Sequence, residues 1–219
     1  MLGLHVVFAI DRAGLVGEDG ETHHGIYDVG FLRHAPGLTV LCPASCAEQQ
    51  AMLRWAIQEQ SGPVAIRYPR GGDRSYQDSA WNADNSGVFC HRSGSDVTLI
   101  TYGTVLQNAM EVAEILESNG LNAAVLRLLR VNPLPVDEIL RQTATASRVV
   151  IVEEVSANCG ICDTLAFQIT AKNPYCRVDC INLGNAYVQH GSVDKLYEHY
   201  GLSARKIADS ILEVHQSEN

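Results

Sequence analysis

Residues 5–28 read HVVFAIDRAGLVGEDGETHHGIYD, a short apolar run followed directly by a polar loop with four glycines. The apolar run is typical of a buried strand in a parallel sheet. A loop that follows such a strand lies at the carboxyl end of the sheet, where α/β folds bind their ligands. The stretch therefore predicts a strand that carries a ligand-binding loop.

The rest of the chain repeats this alternation of short β-rich runs and longer stretches with helical period. Such alternation is typical of an α/β fold with a mainly parallel sheet. In the first half, strands are predicted at 37–43 and 63–69, and Ser45 is placed to cap a helix between them. In the second half, strands are predicted at 97–103, 121–129, 148–154 and 177–184, with two helices near the C-terminus.

Changes in composition divide the chain into three segments. We expect a first α/β unit over residues 1–72, a polar linker over 73–95 and a second α/β domain over 96–219. The first unit looks incomplete, because three strands with one clear helix cannot cover both faces of a parallel sheet. We therefore expect the chain to begin inside a domain.

The overall composition indicates a soluble globular protein. Of the 219 residues, 46% are hydrophobic, which is enough for a substantial core. The net charge of -9 disfavours nucleic acid as a partner. The sequence has no signal-peptide pattern and no apolar run long enough to cross a membrane. We therefore expect a cytoplasmic location and no membrane partner.

Seven cysteines are spread along the chain. Cys159 and Cys162 form a C-x-x-C pair and Cys176 and Cys180 follow, which leaves open a redox pair, a four-cysteine zinc site or reduced, buried thiols. The second pair falls in or beside a predicted strand, where one cysteine would have to leave the sheet to join a tetrahedral site. We therefore favour reduced, buried thiols and predict no metal site.

Charged side chains give the loop after the first strand its chemistry. Arg12 follows the strand immediately, and a planar guanidinium can hold a phosphate or a carboxylate. Asp19 and His23 are four residues apart, close enough for one to orient the other, and a histidine can transfer a proton near neutral pH. His24 is predicted to be a bystander. The alternative is a solvated loop with incidental histidines.

Further polar residues follow other predicted strands. Arg67 and Arg70 are candidates for additional cations at the same sheet edge, with an ordinary surface turn as the alternative. Thr104 begins a predicted helix, where an N-cap is the favoured interpretation and an anion site the alternative. Glu153 and Glu154 end a strand, where we expect a contact with the neighbouring domain or subunit and predict no catalytic role.

Four strings become specific when they are taken together, namely DRAGLVGEDGETHHG (11–25), DVGFLR (28–33), GLTVLCPAS (37–45) and GPVAIRYPRG (62–71). Together they resemble the 1-deoxy-D-xylulose-5-phosphate synthase family of transketolase-like, thiamine-diphosphate enzymes. TYGT, NPLP and RVVIVEE agree with the C-terminal domain of that family. The resemblance covers essentially the whole chain. It implies a partial transketolase pyrimidine-binding domain over 1–72 and a transketolase C-terminal domain over 96–219.

The resemblance implies a transferase that joins pyruvate to D-glyceraldehyde 3-phosphate with loss of carbon dioxide. The product, 1-deoxy-D-xylulose 5-phosphate, begins non-mevalonate isoprenoid synthesis and supplies thiamine and pyridoxal precursors. By matching motifs, Arg12 and Arg70 are implied to bind the phosphate of the aldehyde, and Asp19 and His23 to be catalytic residues beside the reacting carbons. The residue chemistry agrees, because a phosphate dianion is stabilised by cations and a developing alkoxide by a proton donor.

The cofactors implied by the resemblance are thiamine diphosphate and Mg²⁺. The resemblance starts partway through the pyrimidine-binding domain, so we expect the glutamate that activates the thiamine ring and the diphosphate- and magnesium-binding domain to be missing. The sequence has no G-D-G…N metal motif. SANCGICD also departs from the more Gly-rich turn of the family. We therefore assign no cofactor-binding residue and expect the isolated chain, as a fragment, to be inactive.

Other functions stay open at this point. A split transketolase or a β-type subunit of a 2-oxoacid dehydrogenase would contain the same two domains, and a non-catalytic interaction module would use the C-terminal domain for assembly. Two arginines near DGETHHG favour a phosphorylated acceptor over a lipoyl domain. Since the family works as a dimer, we expect a homodimer or a missing N-terminal portion as the partner, with an exposed sheet edge that promotes association.

Overall fold

A computed structural model describes residues 4–83 and 87–218 and contains two β-sheets. The strands are β1 (Val7–Ile10), β2 (Thr39–Leu41), β3 (Val64–Arg67), β4 (Val88–Arg92), β5 (Val97–Tyr102), β6 (Ala123–Leu128), β7 (Arg130–Asn132), β8 (Arg148–Val152) and β9 (Arg177–Ile181). The helices are α1 (Asp28–Leu32), α2 (Cys46–Gln58), α3 (Leu106–Ser118), α4 (Val136–Gln142), α5 (Cys162–Lys172), α6 (Val193–Tyr200) and α7 (Ala204–Glu218). Short 3-10 turns cover Gly17–Asp19 and Gly103–Val105.

The first sheet has the strand order β1-β3-β2-β7. The first three of these strands are parallel, as the apolar runs predict, and β7 joins them antiparallel to β2. Since β7 comes from the second half of the chain, the two halves share one sheet. The helix predicted after Ser45 is α2, and the Ser45 side chain accepts a hydrogen bond from the Glu48 N–H as its N-cap.

The second sheet has the order β4-β6-β5-β8-β9 and is parallel except for the edge strand β4. β4 lies inside the segment predicted as a linker, and its five residues do not alternate between buried and exposed. This part of the segment therefore belongs to the second sheet. Every residue of β5, β6 and β8 is buried, as expected for strands covered on both faces.

The cores of the two sheets are continuous. Val29 and Val40 from the first half pack in the same apolar cluster as Leu126 and Ile151 from the second half. The contact between the halves also contains a fully buried ion pair, in which the Arg127 guanidinium of β6 donates to the Glu48 carboxylate of α2. The ring of Tyr76 lies beneath the same guanidinium, 5.2 Å from it.

The prediction of reduced, buried thiols is wrong for two of the cysteines. Cys162, at the start of α5, forms a disulfide with Cys180 of β9, and their Cα atoms are 6.0 Å apart. Cys176 is a buried free thiol and Cys159 is half-buried. Neither the C-x-x-C pair nor a four-cysteine cluster forms, because helix α5 packs against β9 and brings the second cysteine of one pair to the second of the other.

Two further findings concern the residues that the structure describes. Among them, no group of three or more histidine, cysteine or acidic side chains is placed to hold a metal ion. Within the same residues, no helix is long and apolar enough to cross a lipid bilayer.

Candidate active site

The loop that follows β1 is fixed by backbone hydrogen bonds at its base. The Ala13 N–H donates to the Tyr68 carbonyl just beyond β3, at 2.9 Å. Gly14 and Gly25 exchange a pair of N–H···O=C bonds, at 2.8 and 2.9 Å. These bonds close residues 14–25 into a loop that stands at the carboxyl ends of β1 and β3. The edge of the sheet predicted to bind a ligand is therefore where the loop lies.

Gly25 and a buried ion pair explain why this loop closes so tightly. A Cβ atom on Gly25 would lie 2.2 Å from the Arg12 carbonyl oxygen, so only glycine fits there. Arg67 is buried and donates to both carboxylate oxygens of Asp28 and to the Gly25 carbonyl. Burial alone would lower the pKa of Arg67, but the Asp28 carboxylate raises it instead. Arg67 is thus a structural cation beneath the loop and not one that faces a ligand.

Arg12, Asp19 and Arg70 converge into one cluster above the loop. The Asp19 carboxylate accepts from Arg12 Nε at 3.2 Å and from Arg70 Nη1 at 2.5 Å. Arg12 also donates to Asp11 at 2.6 Å. The two arginine side chains remain 41% and 53% exposed, while Asp19 is 21% exposed. Two guanidinium groups, separated by 58 residues in sequence, therefore reach solvent side by side.

The backbone of Arg12 has a φ of 62°, in the left-handed region that residues other than glycine seldom adopt. Such a conformation is maintained only where surrounding contacts enforce it, and it is common at binding sites. Here the adjoining Ala13 N–H bond and the Asp19 ion pair hold the residue. The strained backbone turns the Arg12 side chain toward Asp19 and Arg70.

The two histidines of the loop differ in exposure. His23 is exposed, and its Nδ1 contacts the Thr22 hydroxyl at 3.2 Å. The hydrogen bonds of Asp19 in the described residues go to arginines and the His23 ring contacts Thr22, so the structure does not show the predicted contact in which Asp19 orients His23. His24, predicted as a bystander, is buried, accepts from the Val16 N–H at Nδ1 and donates from Nε2 to the Gln189 carbonyl. His24 thus ties the loop to the second domain.

An open cleft of about 360 Å³ lies beside the arginine cluster. Leu15, Gly17, Arg70 and Val193 line it, so the cleft is formed by the loop, the segment after β3 and the start of α6. It is large enough for a small phosphorylated molecule and is bordered by a cation. The arrangement can bind an anion through charge-assisted hydrogen bonds.

Glu154 also contributes to this site. The sequence predicts for it only a contact with the neighbouring domain or subunit. It follows β8, is buried, and accepts a hydrogen bond from the Leu15 N–H at 2.8 Å. Burial raises the pKa of Glu154 to about 7, against the opposing effects of the Leu15 N–H and the Arg67 charge. Glu153 points elsewhere and accepts from Tyr102 and from the Ile161 and Cys162 N–H groups. Because Glu153 and Glu154 are adjacent acids, the sequence alone does not show that their contacts differ.

Comparisons with known proteins agree with this architecture. The family described as transketolase, C-terminal domain, matches residues 88–207, and the family described as transketolase, pyrimidine binding domain, matches residues 2–73. The chain belongs to the transketolase family. The match to the C-terminal domain begins at residue 88, which is also the first residue of β4.

Relatives within the transketolase family carry a more specific name. The chain is 42% identical over 206 residues to a 1-deoxy-D-xylulose-5-phosphate synthase of Heliobacterium modesticaldum, covering 93% of this chain and 32% of that protein. It is 37% identical over 217 residues to the protein of the same name from Chlorobium luteolum, covering 98% of this chain and 34% of that one. The chain spans about a third of the length of these curated relatives.

Solved transketolase structures have the same fold. The chain matches a split gene transketolase, described as an inactive beta4 tetramer, with a TM-score of 0.80 and 25% identity over 95% of this chain and 65% of that one. It also matches a transketolase of Campylobacter jejuni with a TM-score of 0.73 and 19% identity, covering 94% of this chain and 31% of that one. The second likeness concerns the fold alone.

Transketolase-family enzymes in general depend on thiamine diphosphate. Among residues 4–83 and 87–218, no three histidine, cysteine or acidic side chains are grouped so that they could hold a metal ion.

Proposed function

We propose that this chain provides the acceptor half of a 1-deoxy-D-xylulose-5-phosphate synthase site. In this proposal Arg12 and Arg70 bind the phosphate of D-glyceraldehyde 3-phosphate, which the complete enzyme joins to pyruvate with loss of carbon dioxide in the cytoplasm. The observation that carries the proposal is the convergence of these two half-exposed guanidinium groups on one carboxylate. The name shared by the relatives supports the choice of acceptor.

The charges of the cluster define how a phosphate would bind. Arg12 and Arg70 supply two positive charges, and Asp11 and Asp19 supply two negative ones. Each guanidinium has five N–H donors, and the described contacts use two of Arg12 and one of Arg70. A phosphate can therefore bind from the solvent side to the remaining donors, while Asp19 holds the two arginines together.

His23 is the residue we propose for proton transfer. It is exposed, four residues beyond Asp19 in the same loop, and its Nδ1 contacts only a threonine hydroxyl among the described residues. An imidazolium there can donate a proton to the aldehyde oxygen as the new carbon–carbon bond forms. Asp19 acts in this proposal through Arg12 and Arg70 and not by orienting His23.

Thiamine diphosphate supplies the carbanion chemistry in the complete enzyme, and we propose that this chain alone does not turn over substrate. This proposal is supported by the share of its relatives that the chain spans, which is about a third of their length. In this proposal the residues of this chain contribute acceptor binding. Incubation of the pure chain with pyruvate, D-glyceraldehyde 3-phosphate, thiamine diphosphate and Mg²⁺ should release no carbon dioxide, and turnover would refute the proposal.

Calorimetric titration with D-glyceraldehyde 3-phosphate tests acceptor binding directly. Arg12→Glu and Arg70→Glu should each weaken binding by at least about 10-fold, because each hydrogen bond to a charged group contributes about 1.5–3 kcal/mol. Arg205→Glu is the matched control, since Arg205 is an exposed arginine on α7 that pairs with Asp209. Binding that is unchanged in both cluster variants, or equally weakened in the control, would contradict a phosphate site.

A second candidate function is supported by the split gene transketolase structure. That structure is described as a split gene transketolase, and the present chain covers 65% of that chain at a TM-score of 0.80. We propose as this alternative that the chain is one subunit of a divided enzyme. Mixing it with a chain that contains the remaining two thirds of a relative should then restore carbon dioxide release, whereas no gain over the separate chains would count against a subunit role.

A further inference from the structure

Glu154 lies outside the arginine cluster but touches the loop that carries it. Its Oε1 accepts from the Leu15 N–H at 2.8 Å, three residues after Arg12. A Cβ atom on Gly14 would lie 2.4 Å from its Oε2, so the loop backbone packs directly on the carboxylate. The side chain comes from the end of β8, which belongs to the second sheet. A residue of the second domain therefore supports a loop of the first.

The carboxylate is held from other sides as well. Tyr197 of α6 lines the same small cavity as Glu154 and lowers the pKa of its carboxyl, and the Arg74 guanidinium lies over the Tyr197 ring at 5.5 Å. Arg70 lines the same small cavity of about 50 Å³ as Glu154 and Tyr197. The charged and titratable side chains facing this carboxylate are Arg67, Arg70, Arg74, Tyr102 and Tyr197. Most of these groups stabilise the ionised form of the Glu154 carboxyl, whereas burial destabilises it.

We propose that Glu154 is a positioning residue that sets the geometry of the Arg12–Asp19–Arg70 cluster from the second domain. The effect of Glu154 on acceptor binding rests on the function proposed above. The loop has two anchors, the Tyr68 carbonyl at Ala13 and the Glu154 carboxylate at Leu15, and they lie on either side of Gly14. The anchors come from different sheets, so the Glu154 contact adds to the Ala13 bond and the Asp19 ion pair in holding the loop that carries Arg12 at its unusual φ.

The proposal gives the loop a dependence on the charge of Glu154. An ionised carboxylate is a stronger acceptor for the Leu15 N–H than a protonated one. Burial, the largest effect, places the pKa of Glu154 at about 7, so the anchor is strong above neutral pH and weaker below it. The position of Arg12 should therefore shift as pH passes through about 7.

Nuclear magnetic resonance of the full chain tests the proposal without any ligand. In the wild-type protein, the Leu15 amide and the Arg12 Nε resonances should move together with a midpoint near pH 7. Glu154→Gln keeps an acceptor oxygen but cannot titrate, so both movements should vanish. Tyr197→Phe keeps the ring under Arg74 and removes the hydroxyl that lowers the Glu154 pKa, so the shared midpoint should rise.

Two results of this experiment would overturn the proposal. A Leu15 titration that survives in Glu154→Gln would assign it to another group. A Leu15 titration that Arg12 Nε does not share would make Glu154 a local structural contact without influence on the cluster. Glu153→Gln is the matched control, since Glu153 bonds to Tyr102, Ile161 and Cys162 instead of the loop, and its variant should leave the Leu15 and Arg12 titrations in place.

Sulfate binding separates this proposal from the function on which it rests, because sulfate stays a dianion across the whole range. At pH 8 the wild-type protein should bind sulfate several-fold more tightly than Glu154→Gln, and at pH 6 the two should bind alike. Tighter binding by the variant at pH 8 would show simple repulsion by Glu154 and contradict positioning. Failure of the wild-type protein to bind sulfate at either pH would refute the anion site, while the resonance titrations still decide the role of Glu154.

Discussion

The two sheets of this chain are stabilised in different ways. In the second sheet, β5, β6 and β8 are buried along their whole length, and α3 and α7 pack together on one side of it. In the first sheet, β1 is a terminal strand, and its residue Phe8 is 46% exposed. The second sheet is completed almost entirely by its own half of the chain, whereas the first takes a strand, an ion-pair partner and a loop anchor from the other half.

The candidate site therefore lies on the first sheet, which depends more on contacts with the other half of the chain. The first sheet includes β7 from the second half of the chain. Glu48 of its helix α2 pairs with Arg127 of β6, and its loop contacts Glu154. Each of these contacts joins the two halves. Disturbing one of them should loosen the first sheet and its loop while the second sheet stays folded.

The largest effect is expected from the buried ion pair. Glu48→Ala leaves the Arg127 guanidinium, which has no solvent exposure, without its carboxylate and should cost about 3–5 kcal/mol in the free energy of unfolding. The Ala44 and Ala80 N–H groups lose an acceptor at the same time. Urea unfolding measures the loss, and amide exchange should show faster opening in β2 and β3 than in β5 and β8.

An exposed pair on α7 provides the control for that variant. Arg205→Ala removes an ion pair with Asp209 whose side chains are 78% and 45% exposed, and should change stability by less than about 0.5 kcal/mol. Equal losses in the two variants would mean that burial does not decide the cost. Uniform acceleration of exchange in both sheets by Glu48→Ala would contradict the unequal stabilisation of the two halves.

The next effect comes from the loop anchor and depends on pH. Burial raises the pKa of Glu154 from 4.5 to about 7, so between these values the folded protein holds a proton that the unfolded chain has lost. Its contribution to stability therefore falls as pH rises, by up to about 3 kcal/mol once pH exceeds 7. Glu154→Gln does not titrate, so its unfolding free energy relative to the wild-type protein should rise from pH 4.5 to pH 8.

Unfolding both proteins in urea across that pH range measures this difference. The comparison cancels the other carboxyl groups, which titrate alike in both proteins. A difference that stays constant with pH would show that Glu154 does not change its protonation in this range, and a difference that falls would contradict the raised pKa.

Much of this architecture follows from local sequence signals. Buried parallel strands have long apolar runs, and a helix that begins after Ser45 has a capping residue, so β5, β8 and α2 were predictable. The loop after β1 was identified because Arg12, Asp19 and the glycines are adjacent in sequence. Its convergence with Arg70 required only that parallel strands end at one edge.

Contacts between distant segments were not predictable in the same way. The Leu15–Glu154 bond joins residues 139 positions apart, and neither residue has a pattern that identifies its partner. Likewise, Cys162 pairs with Cys180 because α5 packs on β9, not because of cysteine spacing. The strand β4 is short and half-exposed, so it produced no clear period in a polar segment. Tertiary packing decided each of these features.

The smallest effect on stability, and the sharpest test of the exposed edge, is expected at Phe8. Its side chain is 46% exposed on the terminal strand β1, so Phe8→Lys should change the unfolding free energy by about 0.5 kcal/mol or less. A lysine on an edge strand opposes edge-to-edge pairing. Sedimentation should therefore show weaker self-association in the variant than in the wild-type protein.

Phe167→Lys is the matched control, because Phe167 is 69% exposed but lies on helix α5 of the second domain. If association depends on the unpaired backbone of β1, only the Phe8 variant should dissociate. If it depends on exposed aromatic area, the more exposed Phe167 should matter more. Among the described residues β1 ends its sheet, and an edge strand can pair through its backbone whereas a helix surface cannot. We therefore expect the strand variant to have the larger effect, and the opposite order would remove the reason to regard β1 as the association edge.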